Sequence, residues 1–216
     1  MTRLVVFGGT GFTGSHVITE AVRRGIDVVA VARHEPKTQT EGVTVITGDA
    51  GDPEVRAQAL EGADAVLLAM SPAGAMLEQL RGLYADIADQ VPREARVVVM
   101  GGWSSLHGSD GKRQIENWPD DGSTDHRSYE VLGAIADDLQ ARDDELAWTY
   151  LTPPNWYGAK VPDQRVVGSY RLGGETPLAP RDGEDHTWIS GEDMARAILD
   201  QFDTRDTVRS MVNVAA

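Results

Sequence analysis

The chain opens on a short apolar run, Leu4-Val5-Val6-Phe7, which is cut off at Gly8. From Gly11 to Arg24 apolar residues then recur three and four apart. These two periods read as a strand followed by an amphipathic helix. The exchange repeats as far as Leu151. Aliphatic and β-branched runs predict strands at Asp27–Ala32, Val43–Thr47, Ala65–Ala69, Arg96–Met100 and Ala147–Leu151, with helices at Pro53–Leu60, Ala73–Gln90 and His126–Arg142 between them. Asp52-Pro53 and Ser71-Pro72 each pair a capping residue with a proline suited to the first helical position. Strands without polar alternation belong in a sheet covered on both faces. The fold class is therefore α/β: a doubly wound, Rossmann-like, mostly parallel sheet with helices on both faces. Right-handed crossovers put any ligand at the carboxyl ends of its strands.

Two stretches break the alternation. Gly102 to Asp125 has neither period, and so long a loop inside a compact domain is usually functional. Residues 153–189 carry Pro, Gly, Trp and Tyr at intervals, with one short strand expected at Ser169–Leu172, and read as a C-terminal segment covering a substrate. Beyond them Ser190-x-x-Asp193 caps a last helix, and Met211–Val214 reads as a last strand. With 216 residues, no internal repeat and no linker, the chain is expected to form one domain over 1–216.

The first turn carries chemistry. Gly8-Gly9-Thr10-Gly11-Phe12-Thr13-Gly14 has G-x-x-G-x-x-G spacing between a strand and a helix. There, backbone N–H groups and a helix N-terminus can meet a dinucleotide's pyrophosphate where a Cβ would block the approach. Preference between NAD and NADP is written after the second strand, as a carboxylate for the ribose hydroxyls or a cation for the 2′-phosphate. This chain reads Val31-Ala32-Arg33-His34, while Asp27 stands too far back. Arg33 therefore points to NADP, with NADPH preferred over NADH. The plain alternatives are a merely tight turn and a solvated surface arginine.

Charge and composition narrow the partners. Twenty basic against 34 acidic residues give −14 at pH 7, a balance that repels phosphate backbones and anionic lipid. No nucleic acid and no membrane partner is expected, no run reaches a membrane span, and a cytoplasmic location follows as an expectation. The absence of cysteine removes thiolate nucleophiles and Cys-type metal sites. No metal is expected, since the acidic clusters Asp143-Asp144-Glu145 and Asp182-x-Glu184-Asp185 lack a recurring ligand spacing.

GGTGFTG, VARHEPK and GDAGDPEVRAQALEGADAV resemble the opening of atypical short-chain dehydrogenase/reductases of the NmrA-like kind. GGWSSL, WTYLTPPNWYG, YRLGG and ISGEDMARAILD resemble the Rrf2-linked NADH-flavin reductase, or biliverdin-reductase-B-like, branch. The resemblance implies an NAD(P)-binding Rossmann-like domain that reduces flavins or similar planar acceptors, FMN or FAD being substrate rather than prosthetic group. It implies that Asp49 and Ala50 flank the adenine and that Ala69, Met70 and Ser71 run along the ribose and nicotinamide. Gly101 opens the family's Gly-Gly-x-x-Ser-Leu segment, which maps its serine onto Ser105, and the family's Pro-Pro-His stands here as Pro153-Pro154-Asn155. Ser105 and Asn155 are thus the catalytic candidates.

The superfamily's Tyr-x-x-x-Lys is impossible in this chain. Four residues before Lys37, Lys112 and Lys160 stand Arg33, Gly108 and Trp156. Reducing an isolated ketone builds charge on one oxygen and needs an acid, whereas a flavin or quinone spreads that charge so that solvent can protonate it. Ser and Asn without Tyr-Lys fit the second kind, with Trp103, Trp156 and Tyr157 as stacking walls or as ordinary packing. His16 reads as a packing or phosphate contact, and His107 and His126 as surface residues. Two other functions stay in view: a non-catalytic NAD(P)-sensing NmrA-like regulatory protein, and a pathway-specific reductase of an aromatic or polyketide-like carbonyl.

Overall fold

The computed structural model describes residues 3–35 and 40–216; Lys37, in the segment that carries part of the resemblance, lies outside them. Eight strands form one sheet. They are β1 (Arg3–Phe7), β2 (Asp27–Ala32), β3 (Val43–Thr47), β4 (Ala65–Leu68), β5 (Arg96–Met100), β6 (Ala147–Thr152), β7 (Arg171–Gly173) and β8 (Ser210–Ala215). Their order across the sheet is β3-β2-β1-β4-β5-β6-β8-β7, every pairing parallel except β7 with β8. The order reverses at β1, which has β2 on one side and β4 on the other, and that reversal opens a crevice beyond the carboxyl ends of both.

Alternation along β1 divides the core. Leu4 and Val6 face the layer made by α1 (Phe12–Arg23) and α5 (Gly191–Asp203). Val5 and Phe7 face α2 (Pro53–Leu60), α3 (Met76–Gln90) and α4 (Thr124–Ala141). Helix α5 buries Met194, Ile198 and Leu199 completely, each side chain contributing about 1.5–3 kcal/mol. Polar groups tie α1 to α5: Arg24 donates to Glu20 (2.8 Å) and to Asp200 (2.7 Å), and the Tyr170 hydroxyl donates to the other Asp200 oxygen at 2.6 Å.

Asp52 caps α2 as expected, accepting from the Glu54 N–H at 2.9 Å. Ser71-Pro72 does not cap α3, which starts at Met76. The Pro72 carbonyl is occupied by the Ser128 hydroxyl at 2.7 Å, and Gly74 has φ +59, a left-handed conformation that no right-handed helix contains. Ser123, unforeseen, caps α4 by accepting from the His126 N–H, and the His126 side chain is buried rather than on the surface. The Gly102–Asp125 stretch contains two short 3₁₀ turns, Trp103–Ser105 and Gln114–Asn117. It is pinned by bonds from Gln114 N to Leu106 O and from His107 N to Glu175 O, both 2.8 Å. Among the described residues no helix is long and apolar enough to cross a membrane.

Candidate functional site

The turn after β1 has no room for side chains. Gly8 sits at φ +95, and a Cβ there would come within 2.5 Å of the Ala69 carbonyl oxygen; one on Gly14 would come within 2.8 Å of the Gly9 Cα. Without those atoms, Gly11 N–H closes the turn on Gly8 O at 3.0 Å and α1 starts directly from it. Its cap, Gly11, offers no side-chain acceptor, and its first turn holds no acid. The helix therefore presents N–H groups and the positive end of its dipole without internal compensation.

A crevice of about 590 Å³ runs from this turn along the strand ends. Phe7, Gly8, Thr10, Gly11, Phe12 and Thr13 form one wall. Arg33 comes from the end of β2, Asp49 and Ala50 from the end of β3, and Ala69, Met70 and Ser71 from the end of β4, with Gln79 of α3 and Tyr157 completing it. Arg33 is exposed and has no hydrogen-bond or ion-pair partner among the described residues. Asp49 turns one oxygen to the Gly51 N–H at 2.8 Å. A cation without a partner among the described residues, lining the same crevice as a helix N-terminus, suits an anionic ligand.

The remaining sequence candidates lie outside that lining. Gly14 packs inside the turn. Gly101 leaves the space filled by the Tyr150 ring. Ser105 is fully buried, its Oγ 3.1 Å from the Tyr150 hydroxyl, which donates onward to Leu132 O at 2.8 Å. Burial pushes the Tyr150 phenol up to about 12, partly offset by Ser105. Because the single tyrosine proton goes to Leu132, Ser105 must be the donor in the first bond, and its own proton is spent there. Its neighbour Ser104 is equally buried, with an Oγ that has no partner among the described residues. Asn155 is exposed. Trp156 is 43% exposed and stacks on His186, ring centroids 4.4 Å apart. Trp103 packs on Trp118 at 5.7 Å, which meets Tyr129 at 5.3 Å. His16 packs edge-on to Phe12 at 4.9 Å and fills the space that a side chain at Gly191 would need.

Two residues have tasks that no sequence pattern reveals. Buried Tyr84 of α3 accepts from the Met70 N–H at 2.8 Å and donates to the Met70 carbonyl at 3.1 Å, fixing the backbone beyond β4. Asp193 of α5, fully buried, accepts from Val167 N (2.8 Å), Gly168 N (3.0 Å) and the Ser190 hydroxyl (3.0 Å) and pairs with Arg196. The capping motif was legible, but the carboxylate's larger task is to hold the covering segment onto α5.

Glycine turn, switch-point crevice and strand order define a dinucleotide-binding α/β protein. The chain belongs to the NAD(P)H-binding family, whose model matches residues 8–205. It is 27% identical over 206 residues to the uncharacterized protein YwnB of Bacillus subtilis (strain 168), covering 93% of this chain and 92% of that one. Its fold matches a Streptococcus pneumoniae TIGR4 structure described as a candidate NADH-flavin reductase, with TM-score 0.82, 24% identity, and 100% and 99% of the two chains covered. It also matches a Veillonella parvula DSM 2008 short-chain dehydrogenase/reductase solved in complex with NADP, with TM-score 0.68, 18% identity, and 100% and 94% covered.

Proposed function

We propose that the protein is an NAD(P)H-dependent oxidoreductase, using NADPH in preference to NADH, that passes hydride to a flavin, quinone or similar planar acceptor. The observation that carries the reading is the crevice itself: an uncapped helix start behind a glycine turn, with Arg33 along its wall and without a partner among the described residues. The residues present fit the cofactor. N–H groups of the turn and of α1 would hold the pyrophosphate, Arg33 the 2′-phosphate, and Asp49 and Ala50 the adenosine end. When bound, the reduced nicotinamide supplies the hydride. The protein's part is to hold donor and acceptor in register and to exclude water, an entropic contribution that can be large without acid catalysis.

The acid-base inventory supports a delocalised acceptor. Ser105 commits its proton to Tyr150, Asn155 cannot ionise, and Tyr-x-x-x-Lys is absent. A proton from water suffices when the negative charge spreads over a ring system. The same inventory favours a second reading, a dinucleotide-sensing NmrA-like regulator that turns nothing over. Steady NADPH oxidation with FMN, FAD or a quinone supports the enzyme; tight NADPH binding without turnover across such a panel supports the sensor.

A further inference from the structure

Thr13 and Tyr157 come from distant parts of the chain and meet inside the crevice. Thr13 stands in the first turn of α1, and Tyr157 at the start of the covering segment. Their hydroxyl oxygens are 2.8 Å apart, and both side chains line the crevice wall. The other two hydroxyl residues on this stretch of α1 behave differently: Ser15 donates to Phe12 O and Thr19 to Ser15 O, each at 3.0 Å, returning their protons to the helix that carries them. Thr13 makes no such bond among the described residues. Its only partner there is Tyr157, whose ring is also held edge-on against Phe12 at 5.4 Å. The neighbouring Trp156 takes the opposite course and stacks outward on His186.

We infer that Tyr157 is a positioning residue for the cofactor: its O–H donates to Thr13 Oγ1 and thereby turns the Thr13 proton toward a pyrophosphate oxygen in the crevice. This inference rests on the dinucleotide reading above. The proton count allows only one useful arrangement. A threonine hydroxyl that accepts from tyrosine keeps its own single proton for an anion, whereas the reverse orientation spends that proton on Tyr157 and leaves only lone pairs facing the negative ligand. Burial raises the phenol's pKa, so Tyr157 remains protonated and able to donate. The covering segment, anchored at Val167 and Gly168 by Asp193, then reaches the cofactor through Tyr157 and not through acceptor contacts alone.

The test is a double-mutant cycle on NADPH dissociation constants, measured by calorimetry on the intact protein, with thermal unfolding of the ligand-free protein alongside. Tyr157→Phe keeps the ring and its contact with Phe12, and is expected to weaken NADPH binding about five- to tenfold. Thr13→Val is expected to weaken it at least as much, Thr13→Ser to stay within about twofold of the unaltered protein, and the double variant Thr13→Val/Tyr157→Phe to be no worse than Thr13→Val. Unchanged affinity in Tyr157→Phe, even with a lower unfolding temperature, overturns the relay and leaves the bond a structural one. Additive losses overturn it as well, since Tyr157 would then act independently of Thr13. Failure of the unaltered protein to bind either NADPH or NADH would overturn the dinucleotide reading and this inference together, an outcome distinct from the other two.

Discussion

Replacing Arg33 with alanine separates the cofactor assignment from the fold. The guanidinium lines the crevice, is exposed, and has no partner among the described residues, so its removal strands no buried group. The unfolding temperature of Arg33→Ala should match that of the unaltered protein within about a degree, as for most exposed positions. A charge-assisted hydrogen bond is worth about 1.5–3 kcal/mol, and screening at an exposed site lowers this toward about 1–2 kcal/mol. At 1.4 kcal/mol per tenfold, NADPH affinity should fall about 5- to 30-fold while NADH affinity stays nearly constant. Titration of Arg33→Ala and the unaltered protein with both cofactors by calorimetry measures the ratio directly. Repeating the NADPH titration at about 1 M salt, where the Debye length is near 3 Å, should erase most of the difference. Equal losses for NADPH and NADH, or none for either, would refute the reasoning and return Arg33 to the solvated surface.

Gly11→Val should fold normally yet lose dinucleotide binding, because a Cβ there meets only Gly8 O at 3.2 Å while the added methyls fill the pyrophosphate approach; Gly14→Ala, driven into the turn's own backbone, should instead lower thermal stability. Ser105→Ala, which strips Tyr150 of its donor, should cost about 1 kcal/mol of stability and retain turnover within about tenfold. Ser104→Ala removes a buried hydroxyl without a partner among the described residues and should be neutral or stabilising; a large loss of turnover in Ser104→Ala alone would contradict protonation by water and make that hydroxyl a donor. Glu20 is held down to about 2, first by its bond to Arg23 and then by Arg24. A carboxylate depressed in the folded state adds stability above its ordinary range and loses it as the pH falls from 4.5 to about 2. Glu20→Gln should therefore be about 1–2 kcal/mol less stable at pH 7, since Arg23 is largely exposed, and the gap should close near pH 2 in a denaturation series.

Periodicity carried the sheet and its helices because strands buried on both faces write themselves as unbroken apolar runs, and β1, β2 and β5 do so almost residue for residue. The glycine turn was legible for a similar reason: close backbone approach leaves only glycine as a solution. What failed was anything decided by a distant partner. Ser71-Pro72 has the composition of a helix start, but Ser128, 56 positions on, takes the Pro72 carbonyl. Tyr84 is one apolar-face residue of α3 until Met70 is seen across it, 14 positions away. Asp193 reads as half of a cap until Val167 and Gly168 present their amides. Ser105 illustrates the limit for the site. Sequence similarity fixes its position beyond β5, but the use of its proton depends on Tyr150, 45 positions away.

That dependence bears on the chemistry. Among the described crevice-lining side chains those that can ionise are Arg33, Asp49 and Tyr157. Arg33 does not give up its proton in a protein, Asp49 accepts from the Gly51 N–H beyond β3, and burial moves Tyr157 away from neutrality in the direction that makes it a weaker acid. General acid catalysis contributes about 10²–10⁴-fold and most often uses histidine, and no histidine stands among the described lining residues. An isolated ketone would have to forgo that factor. A flavin or quinone would not need it, because its reduced form spreads the incoming charge over several atoms and water protonates it without a positioned acid. The proposed acceptor class thus rests on the poverty of acids among the described lining residues more than on the shape of the crevice. Introducing an acid gives the converse: a histidine in place of Gln79, which lines the crevice, should speed carbonyl reduction more than flavin reduction, and the ratio of the two rates at pH 6 and pH 8 would measure how much of the barrier lies in proton supply.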